Sequence, residues 1–285
     1  MDTNILKMAK KHITLIPYGG LTNRMKAIES LIQLLSHADA EGIFIWFRDK
    51  GLNCRFDQLF QPLEVKGLIQ KEASFTDHIL YDRPRLKNCR IPSLFQKLIY
   101  RDCLHENEVT QCTINHFDFE EWVQKKKKVY LSSCILFYRD PDKRLFEHFH
   151  PIPHLQKRIH AVCSTFPHHT IGVHIRRTDN TKAIKQSPTP LFIKKMEEEI
   201  DKNPDVKFYV ASDSTEEKKL LLSRFPNRII TMDKNISRST VEGMQDALVE
   251  LYILAHTRAI LGSPYSSYAE TAALIGNTPF EKVII

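Results

Sequence analysis

Ile171-Gly-Val-His-Ile-Arg-Arg-Thr-Asp179 is an apolar strand that runs out in two adjacent arginines, and the pattern around it decides the fold. A helical stretch at 155–164 precedes it. After it come a helix at 190–201, a strand at 206–211, a helix opened by the capping box Ser214-x-x-Glu217, a strand at 228–231, a helix at 240–256, a strand at 259–261 and a helix over roughly 266–275. Strict alternation of strand and helix predicts a parallel sheet with helices on both faces, a doubly wound Rossmann-like domain. Ligands of such a domain sit at the carboxyl ends of its strands, where the two arginines lie.

Toward the amino terminus a second α/β unit begins the chain. A strand at 12–16, the loop Pro17-Tyr18-Gly19-Gly20, a helix at 22–37 with Met25, Ile28, Leu31, Ile32 and Leu35 on its apolar stripe, and a strand at 43–47 make a βαβ unit. The segment 52–60 follows, then a polar middle of isolated charges, a strand at 129–133 and a linker-like stretch over 141–153. The expected fold class is therefore α/β, two Rossmann-like domains, 1–155 and 156–285, facing a cleft.

With 285 residues and 42% hydrophobic side chains, the chain can bury real cores, which excludes a disordered protein. Its net charge of +7 and isoelectric point near 9.0 favour anionic partners without choosing between nucleotides, nucleic acid and an acidic membrane. Cys54, Cys89, Cys103, Cys112, Cys134 and Cys163 show no short metal or redox spacing and read as buried, reduced thiols. No run approaches the roughly 20 apolar residues of a membrane span. The apolar stretch 13–17 is short and lacks a cleavage site, so a cytoplasmic protein is expected.

Side chains alternate along a strand, so His174 and Arg176 share one face and Ile175 and Arg177 the other. Guanidinium groups delivered to a sheet edge need an anion, and a phosphate or diphosphate meets both their charge and their planar geometry. Arg176 is the ligand-facing candidate and Arg177 the more structural one. Asp179 is placed to orient a guanidinium or cap the next turn; a plain Arg177–Asp179 ion pair is the structural alternative. In Tyr18-Gly-Gly-Leu-Thr-Asn-Arg24, Gly19 and Gly20 let a ligand approach helix-start amides, and Asn23 and Arg24 add polar groups to an otherwise apolar helix. In Gly262-Ser-Pro-Tyr-Ser-Ser-Tyr268, Ser266 and Ser267 stand among unpaired amides, a phosphate site or a simple N-cap. Asp213 follows a strand and serves either a ligand or the next helix cap. His148, His150 and His154 have the only metal-like spacing, but two prolines interrupt it and no metal is expected. The lysines at 125–128 read as a solvated face or a contact with an anionic membrane, and no interleaved aromatics suit them to nucleic acid.

The order and spacing of His174-Ile-Arg-Arg-Thr-Asp179, Ala211-Ser-Asp213, Glu250-Leu-Tyr-Ile-Leu-Ala-His256 and Ser263-Pro-Tyr-Ser-Ser267 resemble the motif series of the α1,6-fucosyltransferase and protein O-fucosyltransferase superfamily. Gly19-Gly-Leu-Thr-Asn-Arg24, Trp46 and the segment 52–60 resemble the amino-terminal motifs of bacterial members. The resemblance covers the first 60 residues and most of 165–277. It implies a GT-B-like fold, with the acceptor on the amino-terminal domain and the nucleotide sugar on the carboxyl-terminal one. The implied reaction is an inverting, metal-independent transfer of fucose from GDP-fucose to a glycan, without a cofactor. Arg176 would grip the donor diphosphate, His174 the nucleotide, and Ser266 and Ser267 the phosphates. Glu250 stands where an acid contacts the base, and Asp213 near the nucleoside. Gly19, Gly20, Asn23, Arg24 and Arg177 complete the expected donor-binding set. Members with a carboxylate base carry an acid shortly after the Arg-Arg-Thr-Asp segment, where this chain has Thr181-Lys-Ala-Ile184. Asp179, Asp49 and Glu29 are the alternatives, and Asp179 is taken as catalytic beside Arg176. Two rival readings stay open: a transferase of another nucleotide sugar such as GDP-mannose, since phosphate-gripping residues do not read the sugar, and a non-catalytic nucleotide or nucleic-acid binding protein. A peripheral contact with the anionic inner membrane face is left open as well.

Overall fold

The computed structural model describes residues 10–81, 90–100, 102–177, 181–232 and 237–285. The chain divides into two units, one reaching to Arg144 and including His148–His150, the other comprising Leu145–Glu147 and Pro151–Ile285. Each is built on its own five-stranded parallel sheet.

In the first unit β1 (Lys11–Pro17), α1 (Leu21–His37) and β2 (Ala40–Trp46) form the expected βαβ start. β2 begins at Ala40 rather than 43 because Ala40–Gly42, which lack an apolar alternation, pair with Lys11–Ile13, with Glu41 also reaching His12 and Lys10 through its side chain. β3 (Leu68–Glu72), α2 (Phe75–Leu80), α3 (Arg90–Ile99), β4 (Asp102–Leu104), α4 (Glu106–Ile114), α5 (Phe119–Gln124) and β5 (Lys128–Ser133) follow. The strand order is β3-β2-β1-β5-β4. Being covered on both faces, β1 reads as an almost unbroken apolar run. Its Ile13, Leu15 and Ile16 are fully buried, and each such side chain contributes about 1.5–3 kcal/mol. The lysines at 125–128 are knitted into this unit: Lys125 pairs with Glu121, Lys126 with Asp102, and Lys128 lies over the ring of Tyr100.

The second unit follows the expected alternation except for a short extra helix, α7, and a last strand, β10, neither of them expected from the sequence: α6 (Pro153–Cys163), β6 (Thr170–Ile175), α7 (Thr181–Gln186), α8 (Thr189–Lys202), β7 (Lys207–Ser212), α9 (Thr215–Arg224), β8 (Ile229–Thr231), α10 (Val241–Ala255), β9 (Ile260–Gly262), α11 (Ser267–Gly276) and β10 (Phe280–Lys282). Ser214 caps α9, its Oγ accepting from Glu217 N at 3.3 Å, but the expected capping box is only half formed: the Glu217 carboxylate goes to Arg177 and Thr189, and Ser214 N donates to Ser212 Oγ instead. The order β10-β9-β6-β7-β8 packs Val173, Ile175, Phe208 and Val210 against Phe192, Met196 and Leu221. Strand order reverses between β1 and β5 in one sheet and between β6 and β9 in the other, and these are the crevices in which α/β folds receive ligands. Two Rossmann-like α/β units constitute a GT-B-like fold.

Among the described residues no disulfide forms. Of the cysteines expected to be buried thiols, Cys54 is buried, and Cys103, Cys112, Cys134 and Cys163 are only partly covered. Cys89 lies outside the described residues. No helix among them is long and apolar enough to cross a membrane.

Candidate functional site

The loops that leave β6 and β9 are tied to each other at the switch point. Ser263 N donates to His174 O at 3.0 Å, and Arg176 N donates to Ser263 Oγ at 3.1 Å. β7 contributes from the other side through Asp213, the first residue after it. One carboxylate oxygen of Asp213 accepts from Arg177 N at 2.7 Å and the other pairs with Arg176 Nη1 at 3.0 Å. Asp213 therefore orients Arg176, whose side chain is 20% exposed. A guanidinium has five donors in a fixed fork, enough to hold Asp213 along one edge and an anion along another.

Arg177, like Arg176, lies just past the end of β6, and its side chain goes to other partners. Its Nε donates to Glu217 Oε1 at 2.7 Å, Nη2 to Thr189 Oγ1 at 3.0 Å and Nη1 to Arg176 O at 2.9 Å. These bonds join β6 to α8 and α9 and take up its donors within the fold.

Beside Arg176 lies a cluster of polar side chains withdrawn from water. His174 is 5% exposed, stacks on Tyr268 with ring centroids 5.0 Å apart, and leaves Nδ1 without a hydrogen-bond partner. Burial and then the Arg176 charge hold its pKa down at about 4, against the pull of Asp213, so the ring is neutral at pH 7. Glu250, on α10, is 2% exposed. Burial pushes its pKa up to about 7 although Lys218 opposes the shift. Lys218 Nζ stands 3.5 Å from Glu250 Oε1, close enough for charge attraction but without hydrogen-bond geometry, and that oxygen is unpartnered. The Tyr209 hydroxyl, on β7, is also unpartnered, and burial followed by the Glu250 charge raises Tyr209 and Tyr268 well above the ordinary phenol range. An unmet buried polar group costs about 1–3 kcal/mol. Three such atoms, His174 Nδ1, Glu250 Oε1 and the Tyr209 hydroxyl, belong to this one cluster.

The glycine turn belongs to the first unit. Gly19 has φ +84°, a conformation that favours glycine, and a Cβ there would stand 2.9 Å from Asn23 Nδ2. Gly20 is the extended N-cap of α1, with nothing within 4 Å of where its Cβ would be. Arg24 is completely buried; Nε donates to Gly19 O at 2.9 Å, Nη1 to Phe47 O and Nη2 to Asp49 Oδ2 at 2.8 Å, with the guanidinium 5.0 Å from the Trp46 ring centre. Asp49 Oδ1 in turn accepts from Gly51 N and Leu52 N. Arg24 thus clamps the glycine turn to the loop after β2.

Of the residues expected from sequence, His174, Arg176, Asp213 and Glu250 come together, electrostatically coupled to one another. Ser266 is the N-cap of α11 and makes no side-chain cap bond; Ser267 opens that helix, whose Tyr268 stacks on His174. Gly19, Gly20, Asn23 and Arg24 lie on the other unit. Asp179 falls outside the described residues. Of the other carboxylates considered as bases, Asp49 is committed to Arg24 and the turn amides, and Glu29 is 1% exposed and accepts from Gln33 Nε2 at 2.7 Å. Ser263 and Tyr268 were visible within a quoted motif without a role. Lys218 and Tyr209 had no signal, reading as helix surface and strand core. Among the described residues no group of three or more His, Cys, Asp or Glu side chains is placed to hold a metal, His148, His150 and His154 included.

No protein-family model and no curated protein matches the chain. Solved structures do. The NodZ α-1,6-fucosyltransferase soaked with GDP-fucose, whose enzyme is also described from Bradyrhizobium, superposes with a TM-score of 0.65 at 17% identity over 93% of this chain and 92% of that one. An Arabidopsis thaliana FUT1 mutant in complex with GDP gives 0.62 at 16% identity over 97% and 71%. POFUT1 in complex with GDP gives 0.55 at 10% over 97% and 99%. At these identities the likeness is one of architecture, and it establishes that this chain shares the GT-B-like fold of those fucosyltransferases.

Proposed function

We propose that the protein is an inverting, metal-independent glycosyltransferase that moves fucose from GDP-fucose to a glycan acceptor. The observation that carries this reading is the convergence of Arg176, Asp213, His174 and Glu250 with the start of α11 at the carboxyl ends of β6, β7 and β9. Fold likeness to structures that hold GDP or GDP-fucose supports it.

In this reaction an acceptor oxygen attacks the anomeric carbon from the face opposite the leaving group. The bond from that carbon to the β-phosphate oxygen breaks, its electron pair leaves with GDP, and the acceptor proton passes to a base. Negative charge grows on the β-phosphate. Arg176, the Ser266 and Ser267 hydroxyls and the helix-start amides of α11 are assigned to absorb it. His174, neutral, contacts the nucleotide, and Glu250 accepts from the base N–H groups. Asp179 is assigned the acceptor proton. A cytoplasmic reaction, with a peripheral contact between the basic chain and the anionic inner membrane face, belongs to the same proposal.

Calorimetry against GDP, GDP-fucose and GDP-mannose without added metal tests the reading. Binding of GDP, and hydrolysis of GDP-fucose in preference to GDP-mannose, is expected. The reverse preference moves the donor to another sugar. Salt-dependent binding of polynucleotide with no affinity for GDP would replace the enzyme by a binding protein.

A further inference from the structure

We infer that a polar pocket at the carboxyl end of the first sheet is a binding site for one sugar ring of the acceptor. The pocket is about 300 Å³ and is walled by Trp46, Arg48, Asn53, Glu72, Ala73 and His78. β2 ends at Trp46 and β3 at Glu72, and Ala73 N donates to Trp46 O at 2.9 Å, so the pocket opens from the ends of two paired strands, the edge at which α/β units receive ligands. Its volume is at the lower end of small-molecule sites, roughly 300–1,000 Å³, which suits a single ring.

The lining selects the ligand class. An apolar guest would strip water from the charged groups of Glu72 and Arg48. A phosphate or carboxylate guest would face Glu72. A pyranose offers hydroxyls that both donate and accept; here it meets a carboxylate that accepts and a guanidinium that donates.

The walls are fixed in advance, which limits the ordering that binding must impose. Glu72 Oε1 accepts from Phe56 N at 2.6 Å, the Phe56 ring meets Trp46 edge-on at 5.4 Å, and Trp46 Nε1 donates to Cys54 O at 2.8 Å. His78 is held edge-on to Phe47 at 5.0 Å. Burial raises the Glu72 pKa above the ordinary carboxylate value, which makes it a stronger acceptor for a hydroxyl. Through Trp46 the pocket also leans on Arg24 and hence on the glycine turn.

That the bound sugar belongs to an acceptor rests on the transferase reading, and the test separates the two. Saturation-transfer NMR is run on the full chain with GDP, using galactose, glucose, mannose and N-acetylglucosamine at millimolar concentration. The expected result is a ring-proton signal from at least one sugar, weakened at least about tenfold in Arg48→Ala and in Glu72→Gln, as loss of one charge-assisted hydrogen bond implies. GDP affinity stays unchanged, as does the melting temperature of Arg48→Ala, because Arg48 is exposed; Glu72→Gln keeps an oxygen for the Phe56 amide but loses a charge that acts on buried Arg24, so a thermal melt checks that it is folded. No signal with any of the four sugars, or a signal that survives either substitution, overturns the pocket even where GDP binds. A pocket-dependent sugar signal in a protein that binds no GDP overturns the donor instead and leaves the pocket a saccharide site.

Discussion

Arg176 and Arg177 are adjacent in the chain and differ in nearly everything else, which makes them the sharpest pair to substitute. Arg176→Ala is expected to lower transfer from GDP-fucose by about 10²–10³ or more, as removal of one charge-stabilising group does, with the melting temperature held. An active variant with full GDP affinity would end that role. Arg177→Ala leaves part-buried Glu217 without its cation, with only the Thr189 hydroxyl as partner, and is expected to cost about 1.5–3 kcal/mol in a urea melt. That their partners would differ was expected from strand alternation, which needs only neighbouring residues, although β6 itself ends at Ile175, before both arginines. Arg24 was not legible in this way, because its partners Phe47 O and Asp49 come from a distant loop at no regular period. Glu250 brings a pH dependence. Its folded pKa, about 7, lies above the ordinary 4.5, so its stabilising contribution is complete below 4.5 and is lost as pH rises through 7. His174, at about 4 against an ordinary 6.5, runs the other way: its contribution is complete above 6.5 and lost as pH falls through 4. Glu250→Gln removes only the first effect. Its stability relative to the wild type should rise between pH 4.5 and 7 in equilibrium melts, and parallel curves would refute the assignment.

Elements differ in how much of themselves they write into sequence. α1, α8, α10 and the buried strands are long or apolar enough for periodicity to place them. β4 has three residues, α2 and α5 six each, too few turns or alternations for any period, and their positions depend on the sheet they complete. The glycine turn lies between these cases, since its residue types were readable and its strain was not. Gly19→Ala is expected to cost more than about 1 kcal/mol, because it forces alanine into positive φ and onto Asn23. Gly20→Ala, with an extended backbone and open space, should unfold at nearly the wild-type midpoint. Equal losses for the two would show that the turn is not held in this conformation.

At the scale of the whole molecule, a ligand that binds only the folded chain must raise its stability. With GDP at about a hundredfold over its Kd the gain is roughly 2.7 kcal/mol, visible as a rise in Tm. The same rise, and the same turnover, should persist in EDTA; a loss there would call for a metal. The alternating second half was legible almost throughout, whereas the polar pocket of the first unit was not, because its walls come from β2, the 52–60 segment and α2. The strand order β3-β2-β1-β5-β4 also matters before folding is finished. β1 leaves the ribosome first, yet its second neighbour, β5, follows only after β2, β3 and β4. Through that interval an apolar central strand shows a raw edge to its surroundings, the form of β structure most prone to mispairing. Refolding yield is therefore expected to fall as protein concentration rises.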